Sequence, residues 1–66
     1  MIRTDELRGI IAKRNTSQRA IAKAIGISEK TFYSKMQKGI FGSDEIEKMI
    51  VILNIENPLE IFFARE

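Results

Sequence analysis

The sequence predicts an all-α fold of five short helices in one domain that spans residues 1–66. Apolar residues recur with the 3.6-residue period of a helix, and residues that commonly cap helices precede these stretches. No stretch alternates apolar and polar residues for long, so no strand is predicted. A chain of 66 residues buries only about 60% of the surface that its unfolded form exposes, so its stability depends on tight helix packing, dimerisation or both.

The first helix is predicted to begin after Thr4, because two acidic residues follow this cap in the first turn. Its buried stripe is formed by Leu7, Ile10 and Ile11. Gly9 lies inside this helix, where it either permits the close approach of another helix or has no role.

The second helix is predicted from Gln18 to about Ile25, with Ser17 as its cap. Gly26 is expected to end it, because glycine accepts the positive φ found just past a helix. Ile21 and Ile25 form its buried pair, and three alanines keep the helix slim.

The third helix is predicted to begin directly at Ser28. Phe32 and Met36 lie one turn apart and share its buried face. Gly39 closes the helix, and a tight loop follows over residues 39–42.

The fourth helix is predicted to be capped by Ser43 and to bury an unbroken stripe, which consists of Ile46, Met49, Ile50 and Leu53. Val51 and Ile52 lie off this stripe. For these two residues and for Ile61, the sequence leaves open whether they extend the core or form a dimer interface.

The last helix is predicted from a cap at Asn57, a proline at the first helical position and a reciprocal Glu60 three residues after the cap. Its inner face is predicted to consist of Leu59, Phe62 and Phe63.

Charge is distributed unevenly along the chain. Residues 15–42 carry five basic residues and one acidic residue, whereas residues 43–66 carry two basic and six acidic residues. This asymmetry favours a polyanionic partner on one side, although an ordinary solvated surface has the same composition.

Several classes of function are excluded by composition. The chain has no cysteine and no histidine, so disulfides and the usual zinc sites are excluded and no metal or cofactor is expected. No paired carboxylates, nucleophile–base set or glycine-rich phosphate loop stands out, so no enzyme and no catalytic residue are predicted. The first residues lack a signal peptide pattern, and the longest apolar run is five residues, at 49–53. We therefore expect a soluble cytoplasmic protein without a membrane or small-molecule partner.

The most informative stretch is residues 18–38. Two helices of about eight residues that are joined by three or four residues must cross steeply, near 90–120°. Ala22 supplies the small residue at the contact, and Gly26 supplies the turn. The outward polar face of the second of these helices is then free to enter a groove about 12 Å wide.

This stretch resembles the helix-turn-helix of the phage repressor and Cro-like family, also called the XRE family. The resemblance covers nearly the whole chain, because the preceding helix and the two that follow also fit the five-helix fold of the family, which is that of lambda repressor. In the first motif helix and the turn, the matching residues are Gln18 at the helix start, the pair Ala22 and Gly26, and Ile27 after the glycine. In the second motif helix they are Ser28 as the cap and Phe32 and Met36 on the core face.

The resemblance implies two sets of DNA contacts. The base-reading set would be Ser28, Glu29, Lys30, Tyr33, Ser34 and Gln37. The phosphate set would be Ser17, Gln18, Arg19, Lys35, Lys38 and Ser43, the last as part of the loop 40–43.

Two of these residues keep alternative interpretations. Family members often have glutamines near positions 29 and 30, and this chain has Glu29 and Lys30. Lys30 can donate to guanine, and Glu29 either accepts from cytosine or serves only the helix dipole. Tyr33 either faces the groove or belongs partly to the core. Lys23 is expected to be solvated surface.

The sequence thus predicts a DNA-binding transcriptional regulator that binds operator DNA as a homodimer and represses by blocking polymerase. The alternative is a protein-interaction module of the same fold that binds another regulator, as an antirepressor does. The apolar excess after Met49 and the acidic last third favour this alternative.

Overall fold

Five α-helices and short turns make up the fold of residues 2–63, which is the part of the chain that the computed structural model describes. The helices are α1 (Thr4–Lys13), α2 (Gln18–Ile25), α3 (Glu29–Lys38), α4 (Ser43–Ile52) and α5 (Pro58–Phe62). No strand occurs within these residues, so the all-α, five-helix prediction is confirmed. The radius of gyration is 10.7 Å, close to the roughly 11 Å expected for a compact chain of this length.

The predicted ends of α2 and α3 are confirmed. The hydroxyl oxygen of Ser17 accepts a hydrogen bond from the Ala20 amide at 3.1 Å, and that of Ser28 accepts one from the Thr31 amide at 3.1 Å. Gly26 follows α2 with a φ of 86°, a left-handed conformation that favours glycine. Gly39 ends α3 in the same way, with a φ of 69°.

The predicted cap of α1 is wrong by one residue. Arg3 occupies the cap position, and Thr4 is the first helical residue. The amide of Arg3 donates to the carbonyl of Ile61 at 2.7 Å, which ties the chain to α5 just before the helix starts. This contact is distant in sequence, so the local cap pattern at Thr4 could not reveal it.

The predicted cap of α4 is also wrong by one residue. Gly42 is the cap, and Ser43 is the first helical residue. The reason is Glu45, whose carboxylate accepts a hydrogen bond from the Gly42 amide at 2.7 Å. A glutamate at the third helical position satisfies the amide of the cap three residues earlier, which sets the helix start.

A single apolar cluster holds the helices together. Helix α2 contacts both α3 and α4, and α1 contacts α5. The predicted core residues of α2, α3 and α4 are buried, apart from Ile50, which is half-buried. Phe41 reaches back from the loop after α3 and places its ring 5.3 Å from that of Phe32. The loop is therefore anchored to the core by one aromatic contact.

Arg14 joins the ends of α1 and α4. Its Nε donates to the carbonyl of Leu53 at 2.9 Å, and its Nη2 donates to that of Asn54 at 3.0 Å. Carbonyls at the end of a helix have no partner within it, so this guanidinium satisfies groups that would otherwise need water.

The predicted inner face of α5 is wrong by one position. Leu59 and Phe63 are exposed, at 72% and 58%, whereas Ile61 and Phe62 are buried. Pro58 is half-buried, so the inward stripe runs from Pro58 rather than from Leu59. Both stripes have the i, i+3, i+4 spacing, and the sequence spacing does not distinguish them.

Solvent exposure decides the roles of four residues that the sequence leaves open. Ile61 is core, while Val51 and Ile52 are 79% and 45% exposed, so these two do not extend it. Gly9 is exposed, and a Cβ there would meet no atom of residues 2–63 within 4 Å outside the adjacent helix backbone. Gly9 therefore serves no close helix contact.

Within residues 2–63, no helix combines the length and the apolar character needed to cross a membrane.

Candidate nucleic-acid interface

The outward face of α3 carries a polar stripe. Lys30, Tyr33, Ser34 and Gln37 follow the i, i+3, i+4, i+7 spacing of one helix face, and all four are exposed. Tyr33 is 49% exposed. The buried side of the same helix consists of Phe32 and Met36. This division leaves the polar side chains free to contact another molecule, and it favours the groove-facing interpretation of Tyr33.

A groove of about 470 Å³ runs beside this stripe. It is lined by residues of α1, α2 and α3, namely Arg8, Gln18, Lys30, Tyr33, Ser34, Met36 and Gln37. We call it the α1–α3 groove. It brings together Gln18, from the predicted phosphate set, and four members of the predicted base-reading set. Its two ionic side chains, Arg8 and Lys30, are both positive.

Arg8 is a site residue that sequence reasoning missed. It follows Leu7, which is completely buried, so it emerges at the border between the core face and the exposed face of α1. The sequence places it on that border but does not tell which helix lies alongside. Only the packing of the helices brings Arg8 to the same groove as the α3 stripe.

Gln18, the first residue of α2, is half-buried and has an unusual side-chain oxygen. Its Oε1 is fully buried, and no donor within residues 2–63 forms a hydrogen bond with it. Leaving a buried acceptor without a partner costs about 1–3 kcal/mol. Gln18 also lines the α1–α3 groove, so this unsatisfied acceptor belongs to a side chain of the groove wall.

The first turns of α2 and α3 each contribute one residue to the lining of this groove, Gln18 and Lys30. The hydroxyl oxygens of Ser17 and Ser28 each accept an amide hydrogen bond from their own helix. The Ser28 hydroxyl also donates to Thr31 Oγ1 at 2.9 Å. Arg19 and Glu29 are exposed in the first turns of α2 and α3. Amides in a first helical turn lack carbonyl partners within the helix, so these starts can bind anions.

Lys35 is engaged with α4. Its Nζ lies 2.7 and 2.6 Å from the two carboxylate oxygens of Glu45, which is buried. This hydrogen bond, assisted by the one from the Gly42 amide, lowers the pKa of Glu45 below its usual value, while burial opposes the shift. The positive charge of Lys35 is thus already balanced. Two further members of the predicted phosphate set, Lys38 and Ser43, are exposed but lie outside the α1–α3 groove.

Elsewhere in residues 2–63, no group of three or more acidic side chains lies close enough together to hold a metal ion.

No family model, no curated protein and no solved structure matches this chain.

Proposed function

We propose that this chain is a sequence-specific DNA-binding transcriptional regulator with the lambda-repressor-like fold, in which α2 and α3 form a helix-turn-helix. The single observation that carries the proposal is the polar stripe of α3, exposed beside a groove that bears Arg8 and Lys30. A helix with its side chains is about 10–12 Å in diameter, which fits the major groove of about 12 Å.

Base recognition belongs to the α3 stripe. Lys30 can donate to the O6 and N7 atoms of guanine, and Gln37 can form two hydrogen bonds with adenine. Glu29 lies in the first turn, where it accepts from cytosine N4 or serves the helix dipole alone.

Phosphate binding belongs to the residues around the stripe. The start of α2 offers backbone amides and the exposed Arg19, and Lys38 adds a positive charge at the end of α3. Lys35 contributes less to phosphate binding than its sequence position implies, because Glu45 already holds its ammonium group. Its principal role is to fix α3 against α4.

Two copies of the chain bind one operator. A single small domain buries limited surface on DNA, and useful specificity generally requires a dimer. The two α3 helices would then enter successive major grooves about 34 Å apart. Occupying an operator that overlaps a promoter blocks polymerase, so the regulator acts as a repressor.

Selection of binding sites from random oligonucleotides, at about 50 and 200 mM salt, tests this function. We expect a palindromic motif, together with an affinity that falls steeply as salt rises. Lys30→Ala and Gln37→Ala should each lose about 1–3 kcal/mol of discrimination at one motif position. Lys48→Ala, an exposed lysine on α4, is the control and should leave the motif unchanged. Failure to enrich any motif contradicts the proposal.

A second candidate is a protein-interaction module that binds another regulator. Four exposed apolar side chains on α4, on α5 and just after it favour it: Val51, Ile52, Leu59 and Phe63. Replacing Val51 or Leu59 by serine should abolish binding to such a partner, whereas DNA affinity should not change. Loss of DNA specificity in Lys30→Ala distinguishes the first function from this one.

A further inference from the structure

Arg8 and Gln18 offer complementary hydrogen-bonding groups to the same α1–α3 groove. Gln18 contributes a buried oxygen with no donor within residues 2–63, and Arg8 contributes an exposed guanidinium. A guanidinium has five N–H donors in one plane, so it can donate to two acceptors on different sides at once.

We infer that Arg8 binds a backbone phosphate of the DNA duplex and that Gln18 positions it by accepting a hydrogen bond at Oε1. In the bound state the Gln18 side chain rotates so that Oε1 accepts from one edge of the guanidinium, and the other N–H groups of Arg8 hold the phosphate. This inference rests on the proposed function and extends it to a residue of α1.

Charge and position identify the occupant of the groove as a phosphate. Arg8 and Lys30 are its ionic lining residues, and among residues 2–63 no acidic side chain lines it. The sugar–phosphate backbones border the major groove, so a helix that enters this groove brings the residues flanking it to phosphates. Arg8 lines the α1–α3 groove together with the base-reading stripe, but it belongs to α1, which carries no base-reading residue.

Fluorescence anisotropy on a mixed-sequence DNA duplex of about 20 base pairs tests the inference, because phosphate contacts do not depend on sequence. The full chain is compared with Arg8→Ala, Arg8→Lys, Gln18→Ala and the double variant Arg8→Ala/Gln18→Ala. Lys13→Ala is the matched control, because it removes one positive charge from an exposed position of α1 that lies outside the groove. Circular dichroism verifies that each variant remains helical.

We expect Arg8→Ala to bind about tenfold more weakly than the unmodified chain and to lower the slope of log affinity against log salt by about 0.9. Lysine keeps the charge but cannot donate to two acceptors in one plane, so Arg8→Lys should restore the slope and only part of the affinity. Gln18→Ala should weaken binding when Arg8 is present and have little further effect when Arg8 is absent.

Equal affinities and salt slopes for Arg8→Ala and Lys13→Ala would overturn the phosphate contact. Additive losses for Arg8→Ala and Gln18→Ala would overturn the positioning role of Gln18. Absence of binding by the unmodified chain at about 50 mM salt would instead reject the proposed function itself, and this outcome is distinguishable from the other two.

Discussion

The α2–α3 pair and the α4–α5 segment are built by different means. Each helix of the first pair begins at a serine whose hydroxyl accepts an amide hydrogen bond, and each ends at a glycine with positive φ. Both helices of the second segment begin without a capping hydroxyl. The amide of Gly42 donates to the Glu45 carboxylate at 2.7 Å, and the side-chain amide of Asn57 donates to Glu60 Oε2 at 3.0 Å. The comparison teaches that local signals define both ends of each helix in the first pair. In the second segment the helix starts are also local, whereas the end of α4 and the inward side of α5 depend on contacts distant in sequence.

The two regions also expose different chemistry. The α3 stripe presents polar and basic side chains, whereas Val51, Leu59 and Phe63 present apolar ones. A polar, positive surface suits a polyanion, and exposed apolar side chains suit a protein partner. The two regions therefore suit different partners, a polyanion for the first region and another protein, including a second copy, for the other.

The largest expected effect tests which side of α5 faces inward. Phe62→Ala should lower the free energy of unfolding by about 3–5 kcal/mol, because it leaves a cavity in the core. Phe63→Ala, the matched control, should change it by less than about 0.5 kcal/mol, because this ring is mostly exposed. Urea denaturation measures both. Equal losses of unfolding free energy in the two variants would show that Phe63 is also buried, as the sequence spacing predicts.

The next effect concerns the ion pair that joins α3 to α4. Glu45→Gln should lower the free energy of unfolding by about 1–3 kcal/mol, a moderate value because the Lys35 side chain is 33% exposed to solvent screening. Glu47→Gln, an exposed neighbour on the same helix, is the control and should have little effect.

The same pair sets a pH dependence. The folded pKa of Glu45 lies below its usual value of 4.5, mainly because of the hydrogen bond from Lys35. Its stabilisation is therefore present above pH 4.5 and is lost as pH falls below that value. Denaturation curves at several pH values should show this loss in the unmodified chain and a smaller one in Glu45→Gln. Identical pH profiles of stability for the unmodified chain and Glu45→Gln would contradict the assignment of this loss to Glu45.

A smaller loss of stability is expected from the serines at the starts of α2 and α3 than from the ion pair, and almost none from the serine at the start of α4. Ser17→Ala and Ser28→Ala should each cost about 1 kcal/mol, because each removes the acceptor of a first-turn amide. Ser43→Ala should be nearly neutral, because Gly42 is the cap of α4. Thermal denaturation compares the three. A loss at Ser43 equal to that at Ser17 would contradict the structure at this helix start.

The smallest expected effect is a gain in stability. Gly9→Ala should stabilise the chain by up to about 1 kcal/mol, because alanine favours a helix and its methyl group meets no neighbour. Destabilisation in the same thermal assay would indicate a contact that Gly9 permits.

Helix ends and buried positions could be predicted from the sequence where one residue and its immediate neighbours determine them. Ser17 and Gly26 each act within one turn of a helix, and the buried positions of α3 follow from their spacing. The exposed stripe of α3 follows from the same periodicity. These features could be predicted because their causes lie within a few residues.

The remaining features depend on packing between helices. Arg14 reaches the end of α4, and Lys35 reaches Glu45, through contacts that the spacing along one helix does not encode. For the same reason the position of Arg8 beside the α3 stripe could not be predicted from the sequence. The inward side of α5 likewise depends on which of two equally spaced stripes meets the core.

The most direct test of DNA binding by the α2–α3 pair is an NMR titration of the full chain with the duplex that site selection enriches. We expect the largest amide shifts over residues 17–19 and 28–38 and at Arg8, with smaller changes in α4 and α5. The contrary result is that the largest shifts lie around Val51, Ile52, Leu59 and Phe63 while the α3 amides stay unchanged.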